Sequence, residues 1–156
     1  MGDGIEIGRA SPGDAGALTR VAFASKRYWG YPERWISRWT ATLTITPEFV
    51  RDNEVYAAIS GGEPIGFYAL TGEGRDLELE HLWLSPAWIG HGAGRLLFEH
   101  AIERAASRGA SIVEIEADPN AEGFYLKMGA RRVGKNVYEM EGNRRALPQM
   151  VVELAG

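Results

Sequence analysis

The chain has 156 residues, 45% of them hydrophobic and 24% charged, a balance that suits one globular domain over residues 1–156 and excludes extended disorder. Its 17 basic and 21 acidic residues give a net charge of −4, which argues against a dedicated nucleic-acid binder, since phosphate contacts need a basic surface. There is no cysteine, so disulfides, thiolate metal sites and a cysteine nucleophile are excluded.

No apolar run approaches the roughly 20 residues that cross a bilayer, and Met1-Gly2-Asp3-Gly4 has neither the basic nor the apolar region of a signal peptide. The expectation is a cytoplasmic protein with no membrane and no nucleic-acid partner.

In chain order, Ile5 to Arg9 alternates as a short strand. Ser11-Pro12-Gly13-Asp14 reads as a helix start, with Ser11 as cap and Pro12 in the first turn, and the helix runs through Leu18, Val21 and Phe23 to about Lys26. Tyr28-Trp29-Gly30-Tyr31-Pro32 breaks it. Pro32 opens a second helix through Trp35, Ile36 and Trp39, and Thr46-Pro47-Glu48 starts another short one.

From Val55 the period becomes that of strands. Val55–Ser60 and Pro64–Leu70 flank Gly61-Gly62, a two-residue hairpin turn, and Gly72 to Arg75 makes a second turn. Asp76 to Leu84 alternates, with Leu77, Leu79, His81 and Trp83 on one face and Glu78, Glu80, Leu82 and Leu84 on the other.

Gly92 to Arg108 is the strongest helix, with Leu97, Ala101 and Ala105 spaced by four and Gly109 as its stop. Ser111–Ala117 is a strand and Ala121–Met128 a short helix ending at Gly129. Arg132–Met140 is a strand, Gly142-Asn143 a turn that leaves Arg144 and Arg145 at a hairpin tip, and Gln149–Leu154 the last strand. Hairpins with one helical crossover imply an α/β (α+β in some schemes) domain: a mixed, mostly antiparallel sheet with helices on both faces.

The segment Ile89-Gly90-His91-Gly92-Ala93-Gly94-Arg95 joins a strand end to the strongest helix. Alternate glycines let backbone approach a ligand, and the helix N-terminus adds roughly half a positive charge. The two together suit a pyrophosphate. The Gly-Lys-Ser/Thr of a P-loop and the spacing of a dinucleotide fingerprint are absent. A tight turn with close helix packing would use the same glycines, so the loop alone leaves both readings open.

Leu82-Trp83-Leu84-Ser85-Pro86, followed by Gly90-His91-Gly92-Ala93-Gly94 and Leu96-Leu97, resembles the acetyl-CoA-binding motif of the GNAT N-acetyltransferases, where a strand ending in Val-x-Pro precedes Arg/Gln-x-x-Gly-x-Gly/Ala. Phe124-Tyr125-Leu126-Lys127-Met128-Gly129-Ala130 is similar to the family's Phe-Tyr-x-Lys-x-Gly-Phe segment, at the family's separation from the first motif. The resemblance is best over residues 54 to 140 and implies an acyl-CoA N-acyltransferase-like fold.

Ile89 stands where the family has Arg or Gln and cannot donate to a phosphate. The cradle then rests on the backbone of Gly90, His91, Gly92, Ala93 and Gly94, helped by His91 and Arg95. The family's Asn falls at Asp118, with Asn120 beside it; either can cap the helix, and an Asp near phosphates is unfavourable. Ala130 replaces an aromatic and makes the site roomier.

The resemblance implies acetyl-CoA as cofactor and direct transfer to a primary amine in a ternary complex, with no covalent enzyme intermediate. The backbone of Leu82, Trp83 and Leu84 would pair with the pantetheine arm as an added strand, and its N–H groups would stabilise the developing oxyanion. Phe124, Lys127 and Asn120 join the cofactor set.

Tyr125 takes the place of the family's catalytic tyrosine, as acid for the departing thiolate; a core aromatic is the alternative. Glu80, or else Glu78, is the base for the incoming ammonium, though both would equally suit a half-exposed strand. His81 shares the apolar face and reads as a satisfied core histidine.

Tyr28, Trp29 and Tyr31 fall in the region that covers the family's acceptor cleft and could stack on a cationic amine. A small-molecule amine is the expected acceptor. A homodimer is common in the family, but no interface is legible here. A non-catalytic acyl-CoA-binding or sensing module on the same fold is the alternative function.

Overall fold

The computed structural model describes residues 4–154. Met1-Gly2-Asp3, most of the segment read for a signal peptide, lies outside them. The elements run β1 (Glu6–Arg9), α1 (Ala15–Tyr28), α2 (Glu33–Arg38), α3 (Thr40–Leu43), α4 (Pro47–Asp52), β2 (Glu54–Ser60), β3 (Glu63–Thr71) and β4 (Asp76–Leu84). They continue with α5 (Ala93–Ser107), β5 (Ile112–Glu116), α6 (Glu122–Lys127), β6 (Arg131–Met140) and β7 (Asn143–Glu153). The sequence pattern predicts this order throughout.

The strands follow the order β1-β2-β3-β4-β5-β7-β6 in one seven-stranded sheet. β1–β2, β2–β3, β5–β7 and β6–β7 pair antiparallel, while β4–β5 is parallel because α5 carries the chain back between them. The expected α/β class with a mixed, mostly antiparallel sheet is the fold observed.

The chain forms two compact units. One runs through Leu70 and adds His81–Ala101; the other takes Thr71–Glu80 and the chain from Ile102 onward. β4 passes from the second to the first between Glu80 and His81.

In the first unit, Leu18, Ile36, Leu43, Val50, Val55 and Phe67 form the core. On α1, Leu18, Ala22 and Lys26 recur every four residues and are all buried, so the apolar stripe of the helix ends on a lysine. Ser11 and Asp14 close the helix start on each other, with Ser11 N donating to Asp14 Oδ2 at 2.9 Å and Asp14 N to Ser11 O at 2.8 Å. Thr46 caps α4 by accepting from Phe49 N at 3.0 Å.

In the second unit, Leu77, Leu79, Val113 and Ile115 are buried and alternate with more exposed neighbours, as the period of two requires, and Met150 is buried with Val151 beside it. The last hairpin departs from expectation. The turn is Glu141-Gly142, with φ 52° and 80°, rather than Gly142-Asn143, so pairing begins at once with Met140 opposite Asn143. β7 is therefore eleven residues long, and Arg144 and Arg145 are strand residues opposite Glu139 and Tyr138 instead of a tip. Pro148, which argues against a strand by sequence, is tolerated because its carbonyl still accepts from Ala117 N at 2.9 Å.

Candidate active site

The end of β4 and the start of α5 are built almost entirely from backbone. Ser85 N donates to Ile65 O at 2.8 Å, Trp88 N to Ser85 O at 2.9 Å and His91 N to Trp88 O at 3.3 Å, which folds the chain tightly into the loop. Gly90 and Gly92 take φ of 89° and 84°, a region costly for any residue with a Cβ. A Cβ on either would meet nothing within 4 Å, so conformation rather than crowding requires glycine, and the space over the loop is open.

Leu96 N, bonded to Gly92 O at 3.1 Å, makes the first turn of the helix ladder, which leaves the amides of Ala93, Gly94 and Arg95 without intrahelical acceptors. No carboxylate occurs from Ser85 to Phe98. Such an array of donors fits a pyrophosphate. Ile89 is exposed and apolar, His91 packs edge-on to Trp88 at 5.4 Å, and Arg95 pairs with Glu99 at 3.7 Å on the helix surface.

Leu82, Trp83 and Leu84 are half-buried on the last residues of β4. The parallel ladder with β5 runs only from Asp76 to Glu78. Gly66 on β3 makes their packing possible: a Cβ there would lie 2.9 Å from Leu84 Cδ1 and 3.0 Å from both Leu97 Cδ1 and the Trp83 carbonyl. An isolated glycine inside a strand was the available signal for this close approach.

His81 is buried, and its Nδ1 accepts from Trp83 Nε1 at 2.9 Å. An indole nitrogen can only donate, so the neutral ring carries its proton on Nε2. Its ring lies against Phe49 and Phe67, as the reading of a satisfied core histidine predicted.

The three aromatics expected on the acceptor side divide. Tyr28 and Trp29 are exposed and packed edge-to-face at 5.0 Å. Tyr31 instead stacks on Trp35 and meets Trp39 edge-on at 5.1 Å. The Lys26 ammonium lies 4.3 Å from the Trp39 ring centre, 5.0 Å from Tyr31 and 5.8 Å from Trp83. This buried lysine in an aromatic box was missed from sequence, although its four-residue spacing from Ala22 could have revealed it.

Glu78, Glu80, Phe124, Tyr125, Lys127 and Asn120 all belong to the second unit. Glu78 stands opposite Glu114 across the parallel pair. Partial burial raises its carboxyl above the ordinary carboxylate range, and the charges of Glu80, Glu116 and Glu114 raise it further. Glu80 is exposed on the same face as Glu78. Beyond them Glu116 accepts from Tyr138 Oη at 2.6 Å and from Asn136 Nδ2 at 2.7 Å, a polar group no motif predicted.

Tyr125 is buried on α6, edge-on to Phe124 at 5.3 Å. Burial, and after it the charge of Asp118, push its phenol well above the ordinary tyrosine range. The phenol is thus kept in its neutral, protonated form. Asp118 accepts from Asn120 N at 2.9 Å and Asn120 Nδ2 at 3.0 Å. Asp118 is the cap, and the Asn120 amide is turned to it. Lys127 is exposed in the last turn of α6, and Ala130 is buried.

Comparison with known proteins follows the same lines. The family model described as the acetyltransferase (GNAT) family matches residues 20–130. A peptidyl-lysine N-acetyltransferase, YjaB, of Salmonella typhimurium is 32% identical over 93 residues, 59% of this chain and 60% of that protein. Serotonin N-acetyltransferase 2, chloroplastic, of Oryza sativa is 29% identical over 128 residues, 81% of this chain and 61% of that protein. The chain spans about three fifths or less of the length of the curated relatives it matches. The crystal structure of PaiA N-acetyltransferase from Thermoplasma acidophilum in complex with coenzyme A has a TM-score of 0.77 at 21% identity, covering 96% of this chain and 99% of that one.

Proposed function

Because this chain belongs to the GNAT family of acetyltransferases, we propose that it transfers the acetyl group of acetyl-CoA to a primary amine by direct attack. The observation that carries the reading is the loop at the head of α5, where Gly90 and Gly92 hold positive φ over open space at the N-terminus of the helix. Acetyl-CoA brings the acyl group already activated as a thioester.

In this reading the Gly90–Arg95 backbone holds the pyrophosphate. The backbone of Leu82–Leu84, beyond the end of the β4–β5 ladder, pairs with the pantetheine arm. Glu80 or Glu78 takes the proton that the acceptor ammonium must lose. The raised carboxyl of Glu78 suits it to that task, and Glu80 is exposed on the same face. Tyr125 gives its phenolic proton to the departing sulfur as the C–N bond forms and the C–S bond breaks. A phenol kept neutral by burial carries the proton that this role requires.

For the acceptor, a small cationic amine is supported by the exposed Tyr28–Trp29 pair, which presents aromatic faces to a ligand. A second reading, a lysine side chain of a protein, is favoured by the relationship to the peptidyl-lysine enzyme. We place the reaction in the cytoplasm, in keeping with a chain free of cysteine. No helix among the described residues is long and apolar enough to cross a membrane.

Calorimetric titration with acetyl-CoA, with ATP as control, tests the cofactor. Binding of acetyl-CoA alone at micromolar concentration is expected, and its absence overturns the reading. Thiol release with small amines and with a lysine peptide then tests the transfer. Tight cofactor binding without thiol release from any amine would assign a sensing module instead.

A further inference from the structure

Lys26 is a buried charge to which the transfer reaction assigns no task. It stands in the last turn of α1, where the stripe of Leu18 and Ala22 calls for another apolar residue. A lysine there gives up its water, and aromatic faces around the ammonium offset part of that cost. The ring centres lie at 4.3 Å for Trp39, 5.0 Å for Tyr31 and 5.8 Å for Trp83.

The three walls of this box are held in different ways. Tyr31 and Trp39 meet edge-on at 5.1 Å, and Trp35 packs on each at 6.1 Å, so the rings of the helical side brace one another. Trp83 is the wall that the sheet contributes. Its indole N–H donates to His81 Nδ1 at 2.9 Å, and the His81 ring lies against Phe49 at 5.6 Å and Phe67 at 6.1 Å. Trp83 and His81 are two residues apart on one strand, so the bond joins neighbours on one face. A ring tied at its edge by one hydrogen bond can still tilt about it. An ammonium over its face opposes the tilt.

The backbone at Trp83 is the part of β4 that needs such support. The ladder with β5 runs only to Glu78, so on that side Leu82–Leu84 has no strand to fix it. Past it, Ser85 N returns to Ile65 O at 2.8 Å, and the Trp83 carbonyl passes 3.0 Å from where a Cβ on Gly66 would stand. One edge is thus closely seated and the other is left for the pantetheine arm.

We propose that Lys26 is a positioning residue for the donor side of the reaction. By holding the Trp83 indole against His81, it sets the backbone of Leu82–Leu84 in the form that receives the arm. This rests on the assignment of acetyl-CoA as cofactor. An arm that pairs with a preset strand end gives up less freedom than one that must first order it, so the charge acts on cofactor affinity. Lys26 acts through Trp83 and not on the reacting atoms.

Calorimetric titration of the whole chain with acetyl-CoA tests this, with circular dichroism to show that each variant folds. Lys26→Met isolates the charge, since methionine keeps the unbranched length and packs well on rings. Its Kd for acetyl-CoA should rise about 5- to 10-fold at unchanged stoichiometry. A merely structural role would do the opposite, because a smaller folded fraction lowers the stoichiometry and leaves Kd alone. Lys26→Arg keeps a cation over the rings and should recover most of the affinity.

The second arm is a double-mutant cycle. In a Trp83→Leu background, Lys26→Met should change Kd by less than about twofold, because the residue it acts through is gone. Trp83→Phe, which drops the indole N–H, replaces that background if the leucine variant does not fold. An unchanged Kd in Lys26→Met overturns the proposal, as does an equal loss with and without Trp83. A wild-type chain that binds no acetyl-CoA overturns the cofactor assignment, and this inference falls with it.

Discussion

The loop at the head of α5 and the segment around Tyr125 carry the two motifs of the family, and they use opposite physical means. In the proposed reading the loop works with backbone amides: its glycines stand in open space, and its side chains Ile89, His91 and Arg95 are exposed. The second region works with side chains whose surroundings differ. Tyr125 is buried and held neutral, while Glu78 and Glu80 lie on a face of several carboxylates. A site built from backbone should tolerate side-chain changes that respect φ, whereas one built from side chains should respond to the loss of a single oxygen.

The sharpest test of this contrast is Gly92→Glu. It imposes a Cβ at φ 84°, worth about 1–2 kcal/mol of strain, and brings an anion into the donor array. Calorimetry should show cofactor binding abolished. Retained binding would mean that the pyrophosphate lies elsewhere.

Tyr125→Phe should leave cofactor affinity nearly unchanged and slow turnover by about 10- to 10³-fold. Because the phenol stays protonated, the pH profile of kcat should show no break from Tyr125 below about pH 10. An unchanged rate would remove Tyr125 from the chemistry.

A smaller effect separates the aromatics. Replacing Tyr28 and Trp29 together by Ala should raise the acceptor KM by about 3- to 10-fold without lowering Tm, since both are exposed. Tyr31→Ala should do the reverse, lowering Tm through loss of its packing on Trp35 and Trp39. Equal KM effects from both would place the packed cluster in the acceptor site.

The smallest effect concerns Glu78. Its folded-state pKa is raised, so the folded protein holds this proton more tightly than the unfolded chain does. The penalty is absent in acid, grows as pH rises from the ordinary carboxylate value through the raised one, and is complete at neutral pH. Glu78→Gln should therefore raise Tm slightly at pH 7, with the difference closing below about pH 4. A lower Tm at pH 7 would mean that the carboxylate is held by favourable contacts outweighing its acidic neighbours.

Much of this was legible in the residues. The alternation from Asp76 to Leu84 located β4 and its two faces, and the four-residue spacing of Leu97, Ala101 and Ala105 located α5. Asp118 was recognisable as a cap because an acidic residue suits a helix start better than a phosphate neighbour. The last strand reaches well before Gln149 and runs through Pro148, and only the place of Pro148 between two ladders shows that its carbonyl is the group needed there. Lys26 was missed by a reading that sends charged residues outward, since a cage from three separate segments is what lets the ammonium stay inside.

By itself the sequence determined the element order, the glycine positions and the resemblance that led to acetyl-CoA, because periodicity, φ preference and motif spacing are local properties of the chain. The tertiary structure alone decided the rest. It showed which aromatics are exposed and which are packed, where His81 carries its proton, and why Gly66 must lack a side chain. Each of these depends on atoms that meet only when distant segments fold together.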